Sequence, residues 1–365
     1  MKNKIVKSLG VLSVASLMST TAFSQITISG YAEAGFITGT NKNGSNATNL
    51  ASTSKNLGGE TVVTVAGKGK TTNGWDYSAY QNFDTDEVGN GRNIASTMAM
   101  TTRAIELSPI KDFKLFYSYD GVYGSEIART AVPTVTDRVA DQTGFSGLSE
   151  LIDVTSGGHV VGFEVLNVGP NGRLSVAYNP NLDAAPQQSS DRLYAGTLQT
   201  GLHSASGYSV GYSVAPGPIK IAAGITKIDQ YHRADAQDVT AKTLGVTWTE
   251  GPFAIGAQRT KNEGLKAAIA TSVSFDDTVD TVAAAFKANN EITIGLDYSK
   301  MERSGTAIAT KGPDSKVYHA VIAYNLGPVV VSAMYEDAKD KASTNAATLN
   351  GNDSSLTKIK VKANF

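Results

Sequence analysis

Leu356-Thr-Lys-Ile-Lys-Val-Lys-Ala-Asn-Phe365 ends the chain on a strict two-residue period. Thr357, Ile359, Val361, Ala363 and Phe365 fall on one side of an extended strand, and Lys358, Lys360 and Lys362 on the other. One side suits lipid and the other suits water. The same alternation recurs through the rest of the chain, and it decides the expected fold.

Working back from the terminus, residues 317–335 form a long apolar run with no formal charge when His319 is neutral. Gly327-Pro328 cuts it in two, and each half again has period two: Tyr318, Ala320, Ile322 and Tyr324, then Val329, Val331, Ala333 and Tyr335. The run therefore reads as two strands, not a membrane helix. Comparable turn-and-strand units begin at Gly169, Ala215, Gly251, Asn289 and Gly327, where Gly, Pro and Asn combinations suit hairpins. Together with 26–36, 75–83 and 113–119 they predict eight strands in one direction. Partners are predicted at 60–65, 93–107, 160–168, 207–214, 243–249, 279–287, 316–326 and 356–365.

This all-β set predicts a transmembrane sixteen-stranded antiparallel β-barrel, because an even antiparallel sheet closes without an unpaired edge. Connections at one end are short. Those at the other span 39–59, 84–92, 120–159, 179–206, 229–242, 261–278, 301–315 and 336–355, the asymmetry of periplasmic turns and external loops. Aromatic residues sort to the strand ends. Trp75, Phe113, Trp248, Phe253, Phe286, Tyr324 and Phe365 lie near the short turns; Phe36, Phe83, Tyr119, Tyr178, Tyr298 and Tyr335 lie near the long loops. A soluble sandwich explains aromatic residues in strands but not two girdles.

Residues 1–24 have the form of a secretory signal, with Lys2, Lys4 and Lys7 ahead of an apolar run over 9–17 and small residues at Ala22 and Ser24. The run is too short to span a bilayer as a helix. Cleavage after Ser24 is expected to release residues 25–365 as one barrel domain. That removes three lysines and no acids from a chain of formal charge −1, and the mild acidity gives nucleic acid nothing to bind. No cysteine is present, so an exported chain must be held by something other than disulfides, and closed sheet supplies it. The 36 glycines, 15 tyrosines and 18 % charged residues suit strands, turns and interfaces.

After the signal, Ile26-Thr-Ile-Ser-Gly-Tyr-Ala-Glu-Ala-Gly35 fits the form V-T-L-Y-G-x-I-D-x-G, with Ser29 in place of Tyr and Glu33 in place of Asp. With the last strand, this resembles the Gram-negative general porins of proteobacterial type. The likeness covers the architecture of residues 25–365, but in specific motif only the first and last strands. It implies a homotrimer in outer-membrane lipid and lipopolysaccharide, with a water-filled channel for passive diffusion of small hydrophilic solutes and ions. It also implies a third external loop folded into the pore, and Phe365 recognised by the barrel-assembly machinery. The Pro-Glu-Phe-Gly sequence common in such loops is absent, and Phe145-Ser-Gly147 is a weak substitute. On the lipid side of the first strand, Ile28, Gly30, Ala32 and Ala34 join Ala363 in a small-residue patch expected to help form the trimer interface.

The third loop, 120–159, is the longest of the eight and carries Asp120, Glu126, Asp137, Asp141, Glu150 and Asp153 against Arg129 and Arg138. Parity sends Lys114, Arg173, Lys220, Lys358, Lys360 and Lys362 to the lumen, with the acids Glu33, Asp76, Glu164 and Asp297. Arg103 is expected to join them, although Met98 and Met100 conflict in parity with Ile105 and Leu107, which predicts a bulge near Thr102. A basic wall facing an acidic loop makes a transverse field. Unit charges about 10 Å apart in water interact by only roughly 0.4 kcal/mol, so size filters first and charge second.

Enzyme signals are poor: His159, His203, His232 and His319 are scattered, and no H-E-x-x-H, G-x-S-x-G or phosphate-binding glycine motif occurs. No cofactor or metal is implied. Asp84-Thr-Asp-Glu87 and Asp276-Asp277 could hold a divalent ion but read better as solvated loop acids. A substrate-specific channel shares every feature above, and a barrel acting as anchor or adhesin would need loops that plug the lumen.

Overall fold

A computed structural model describes residues 25–41, 53–85, 99–129, 131–133, 135, 151, 154–155, 158–180, 205–230, 238–266, 274–304, 315–341 and 352–365. Strands β1 (Gln25–Asn41), β2 (Thr53–Lys70), β3 (Asp76–Thr85), β4 (Ala99–Ile110), β5 (Phe113–Tyr119), β6 (His159–Leu166), β7 (Arg173–Asn179) and β8 (Ala205–Val214) make the first half. The second half is β9 (Ile219–Gln230), β10 (Val239–Glu250), β11 (Phe253–Lys266), β12 (Ser274–Lys287), β13 (Ile292–Ser304), β14 (Ser315–Asn325), β15 (Val329–Lys341) and β16 (Asn352–Asn364). Each strand pairs antiparallel with the next, and β16 returns to β1, so the sixteen strands form a closed barrel.

At the seam, Gly30 and Phe365 exchange two backbone hydrogen bonds of 3.0 Å. A Cβ at position 30 would stand 2.8 Å from Phe365 Cζ, so glycine is what lets the terminal ring lie across β1. Closure gives the two-residue period its physical meaning. Ile28, Leu244, Ile255, Leu296, Ile359 and Val361 are exposed on the outside, while the alternate positions are buried on the lumenal face and rich in Ser, Thr, Gln and paired charge. An exposed apolar belt around a whole barrel is a surface for lipid.

The strands outrun their expected lengths. β1 and β2 have 17 and 18 residues, against about 10 needed to cross a membrane. The expected loop over 261–278 is largely strand, and Asp276 and Asp277 stand in β12. Across the ladders, Lys242 of β10 reaches Glu263 of β11 at 2.9 Å and Gly264 N of β11 donates to Asp276 Oδ1 of β12 at 3.0 Å, while Lys261 meets Glu263 along β11 at 2.6 Å. Cross-strand pairing of this kind continues a sheet where hydropathy alone predicts its end.

On β4 the bulge is present. Gln81 faces Arg103 and Phe83 faces Met100, so Thr101 and Thr102 together oppose Asn82. Arg103 therefore shares the face of Ile105, which is 59 % exposed, and points out of the barrel; its expected place in the lumen is corrected. Outside, it lies over the Tyr119 ring at 5.1 Å and 3.5 Å from His159 Nε2. The parity that needed the bulge also carries Arg103 outward.

Candidate functional site

The third connection leaves β5 at Asp120, and the part of it that is described lies against the lumenal face of the wall. Tyr123 stacks on Phe116 of β5 with ring centroids 3.9 Å apart and donates to Glu106 Oε1 at 3.0 Å. Burial, with Glu106 beside it, pushes the Tyr123 phenol above the ordinary tyrosine range, so it stays a donor. A short 3-10 turn, Gly124–Ala128, follows. Gly124 N donates to Ser175 Oγ at 2.8 Å, Ser125 N to Ser209 Oγ at 3.2 Å, and Ser125 Oγ meets Thr226 Oγ1 at 2.6 Å. These contacts tie the turn to β7, β8 and β9 in succession.

Gln258 of β11 holds the next stretch. Its Oε1 accepts from Ala131 N at 2.9 Å, and its Nε2 donates to Arg129 O at 2.8 Å. A buried glutamine that satisfies one donor and one acceptor of a connection fixes it as a backbone ladder would. Thr247 Oγ1 donates to Ala131 O.

Glycines make the room. At Gly211, Gly224, Gly245, Gly256 and Gly295, lumenal positions on β8, β9, β10, β11 and β13, an added Cβ would meet Gly124, Ser125, Ala131, Pro133 and Val135 in turn. The gap is 3.0 Å at Gly224 and 2.7 Å at Gly256, and tighter at the other three. The described part of the third connection, as far as Val135, lies in a track of glycines. Sequence reasoning missed this track, and missed Gln258, Ser175, Ser209 and Thr226, because uncharged lumenal residues carry no single-residue signal. The available signal was glycine recurring at inward parity on neighbouring strands.

The expected wall bases are mostly matched by wall acids. Lys114 lies 3.2 Å from Glu106. Arg173 Nε donates to Glu164 at 2.7 Å while its Nη2 donates to Val122 O at 2.9 Å, so it also ties down the third connection. Lys360 pairs with Glu33 at 3.0 Å with both side chains buried, and Lys362 sits 3.5 Å over the Tyr31 ring. Lys358 is buried on the same face, and Lys220 is exposed beside the turn that opens β9. Asp76 pairs with Lys70 at the rim at 2.6 Å.

Of the expected loop acids, Asp120 is exposed at the end of β5, and Glu126 pairs with Arg129 at 3.0 Å within the connection itself. Asp137, Asp141, Glu150 and Asp153 lie outside the described residues, as do His203 and His232. Asp297 faces the lumen and meets His319 Nδ1 at 2.5 Å, while His319 Nε2 lies 3.0 Å from Glu336.

The closed sixteen-stranded barrel has the fold of solved outer-membrane channels and porins. The outer membrane channel DcaP of Acinetobacter baumannii superposes with a TM-score of 0.66 at 12 % identity, over 95 % of this chain and 99 % of that one. The anion-selective porin from Comamonas acidovorans gives 0.63 at 12 % identity, over 93 % and 99 %. The trimer form of OmpT, an outer membrane protein of Vibrio cholerae, gives 0.58 at 11 % identity, over 94 % and 100 %. No protein-family model matches the sequence, and no curated protein matches it.

Proposed function

We propose that the chain is an outer-membrane channel through which small hydrophilic solutes and ions diffuse, filtered by size first and by charge weakly. One observation carries this reading: the barrel is closed, its lumenal face is polar, and the described part of the third connection lies along that face in a glycine track. Such a segment narrows the aqueous path by its own thickness. The described bases Lys114, Arg173 and Lys360 are matched by wall carboxylates, which favours shallow charge selectivity over a strong basic wall.

In the same reading residues 1–24 direct export, Phe365 guides insertion by the barrel-assembly machinery, and the outer face meets lipid and lipopolysaccharide. The patch of Ile28, Gly30, Ala32, Ala34 and Ala363 serves a homotrimer. The OmpT fold neighbour in trimer form is consistent with that assembly. Conductance in planar bilayers tests the function directly. Stepwise conductance is expected, rising on deletion of residues 131–150 together with admission of larger sugars. A full-length protein that inserts without conducting would overturn the channel reading.

A further inference from the structure

Lys300, Lys316 and Lys339 stand in one row on β13, β14 and β15, each directly opposite the next in register. The row faces outward: its parity is that of the exposed Leu296 on β13 and Tyr318 on β14, while the alternate residues Met301, Val317 and Ala338 are buried. Like charges directly opposite one another across a sheet repel, so a row of three ammonium groups calls for anionic partners. Glu302 supplies one, to Lys300 along β13. Asp280, opposite Lys300, is taken by Arg259, whose Nε and Nη2 donate to its two oxygens at 2.6 and 2.7 Å. Lys316 and Lys339 make no hydrogen bond or ion pair, and Asp337, the other acid on that face of β15, stands opposite Tyr318 and pairs with neither. Outward lysines on neighbouring strands differ: Lys242 and Lys261 both reach Glu263.

The place of the row says what carries the missing anion. Two residues along β13 and β14 toward the belt, Tyr298 and Tyr318 face each other with ring centroids 4.8 Å apart, and beyond them Leu296 and Ile322 continue the same face as exposed apolar surface. At about 3.4 Å per residue, the lysines lie roughly 7 Å past the phenol pair along the strands. Tyrosines so placed mark the level where hydrocarbon gives way to headgroups. These are the strand ends joined by long connections, so the headgroups are those of the outer leaflet. An anion that carries its own apolar body meets the ammonium row and the belt together; a free anion meets only the row, in water.

We propose that Lys316 and Lys339, with Lys300 beside them, hold the anionic phosphate headgroup of an outer-leaflet lipid whose acyl chains lie on the belt below Tyr298 and Tyr318. The site rests on the reading that the outer wall faces lipid, and it assigns one headgroup chemistry to one place on that wall.

Native mass spectrometry of the full-length protein in micelles tests it, with dioleoyl phosphatidate or dioleoyl phosphatidylcholine titrated in. The acyl chains are the same, so the comparison reads the headgroup. Half-retention of phosphatidate is expected at a concentration at least fivefold below that of phosphatidylcholine, with the gap narrowing as salt screens the lysines. Lys316→Gln with Lys339→Gln should remove most of the gap, whereas Lys242→Gln, which alters a paired lysine on the same outer face, should leave it. Inorganic phosphate should displace phosphatidate no better than chloride of equal ionic strength; preferential displacement marks a free-phosphate site and overturns the lipid assignment. Equal retention of the two lipids by the wild-type protein overturns the site without any variant having to fold, as does an unchanged gap in a folded barrel carrying both glutamines. Retention of neither lipid by a folded barrel would overturn the lipid-facing reading of the outer wall and the site with it.

Discussion

Lys360 and Glu33 are the residues whose burial contradicts the simplest view of a wet pore, since each side chain is at most 4 % exposed. Breaking a buried pair by removing one partner costs about 3 to 5 kcal/mol, and here less, because Lys362 also stands 4.0 Å from the same Glu33 oxygen. Lys360→Met should therefore lower the temperature at which the folded barrel unfolds on a gel, and adding Glu33→Gln should restore most of it. Equal losses in the single and the double variant would mean that packing, not charge, holds the seam. Lumenal parity for Lys360 was legible from the last strand alone. Its partner was not, because pairing depends on which strand closes the barrel. Arg103 shows the opposite outcome: a local bulge turned it outward, and its parity with Ile105 was already legible.

At the scale of elements, the third connection and the strands beneath it are fitted to each other by absence of side chains. Gly256→Val would place a branched side chain where Pro133 Cδ already stands 2.7 Å from an ideal Cβ, and overpacking of this kind costs about 1 to 3 kcal/mol. The connection is the softer partner, so it should lift. The expected readout is higher conductance and noisier current with the barrel still folded. Gln258→Leu should act similarly, since it strands Ala131 N and Arg129 O at about 1 to 3 kcal/mol for each unsatisfied group. If both variants conduct as the wild type does, the connection is held by residues other than these. Strand count and direction were legible because turns and alternation are local. The true ends of β11 and β12 were not, because Lys242 with Glu263 and Gly264 N with Asp276 extend the ladders by meeting across strands.

For the whole molecule, the apolar belt outside and the small residues near the seam carry the assembly prediction. Ala32 pairs with Ala363 and lies between Gly30 and Ala34 on the outward face. Arginine at positions 32 and 34 should convert trimers on native gels to monomers, and unchanged trimers would move the interface elsewhere. Removing Phe365 should leave folded closure weaker as well as insertion poorer, since its backbone completes two hydrogen bonds with Gly30. The expected result is chain accumulating in the periplasm, and wild-type insertion after the deletion would discard the role.

Period-two alternation, turn residues and an even strand number were enough for the sequence by itself to determine a closed antiparallel barrel with one wet and one apolar face. These features repeat every few residues, and each strand states its own facing. What only the tertiary structure decided is which lumenal side chains meet: Lys360 with Glu33, Arg173 with the third connection, and Asp297 with His319 and Glu336. The physical reason is register. A hydrogen bond spans about 3 Å and neighbouring strands lie about 4.8 Å apart, so a shift of one or two residues between strands exchanges every partner. Alternation within a strand says nothing about that shift until the ring of strands has closed.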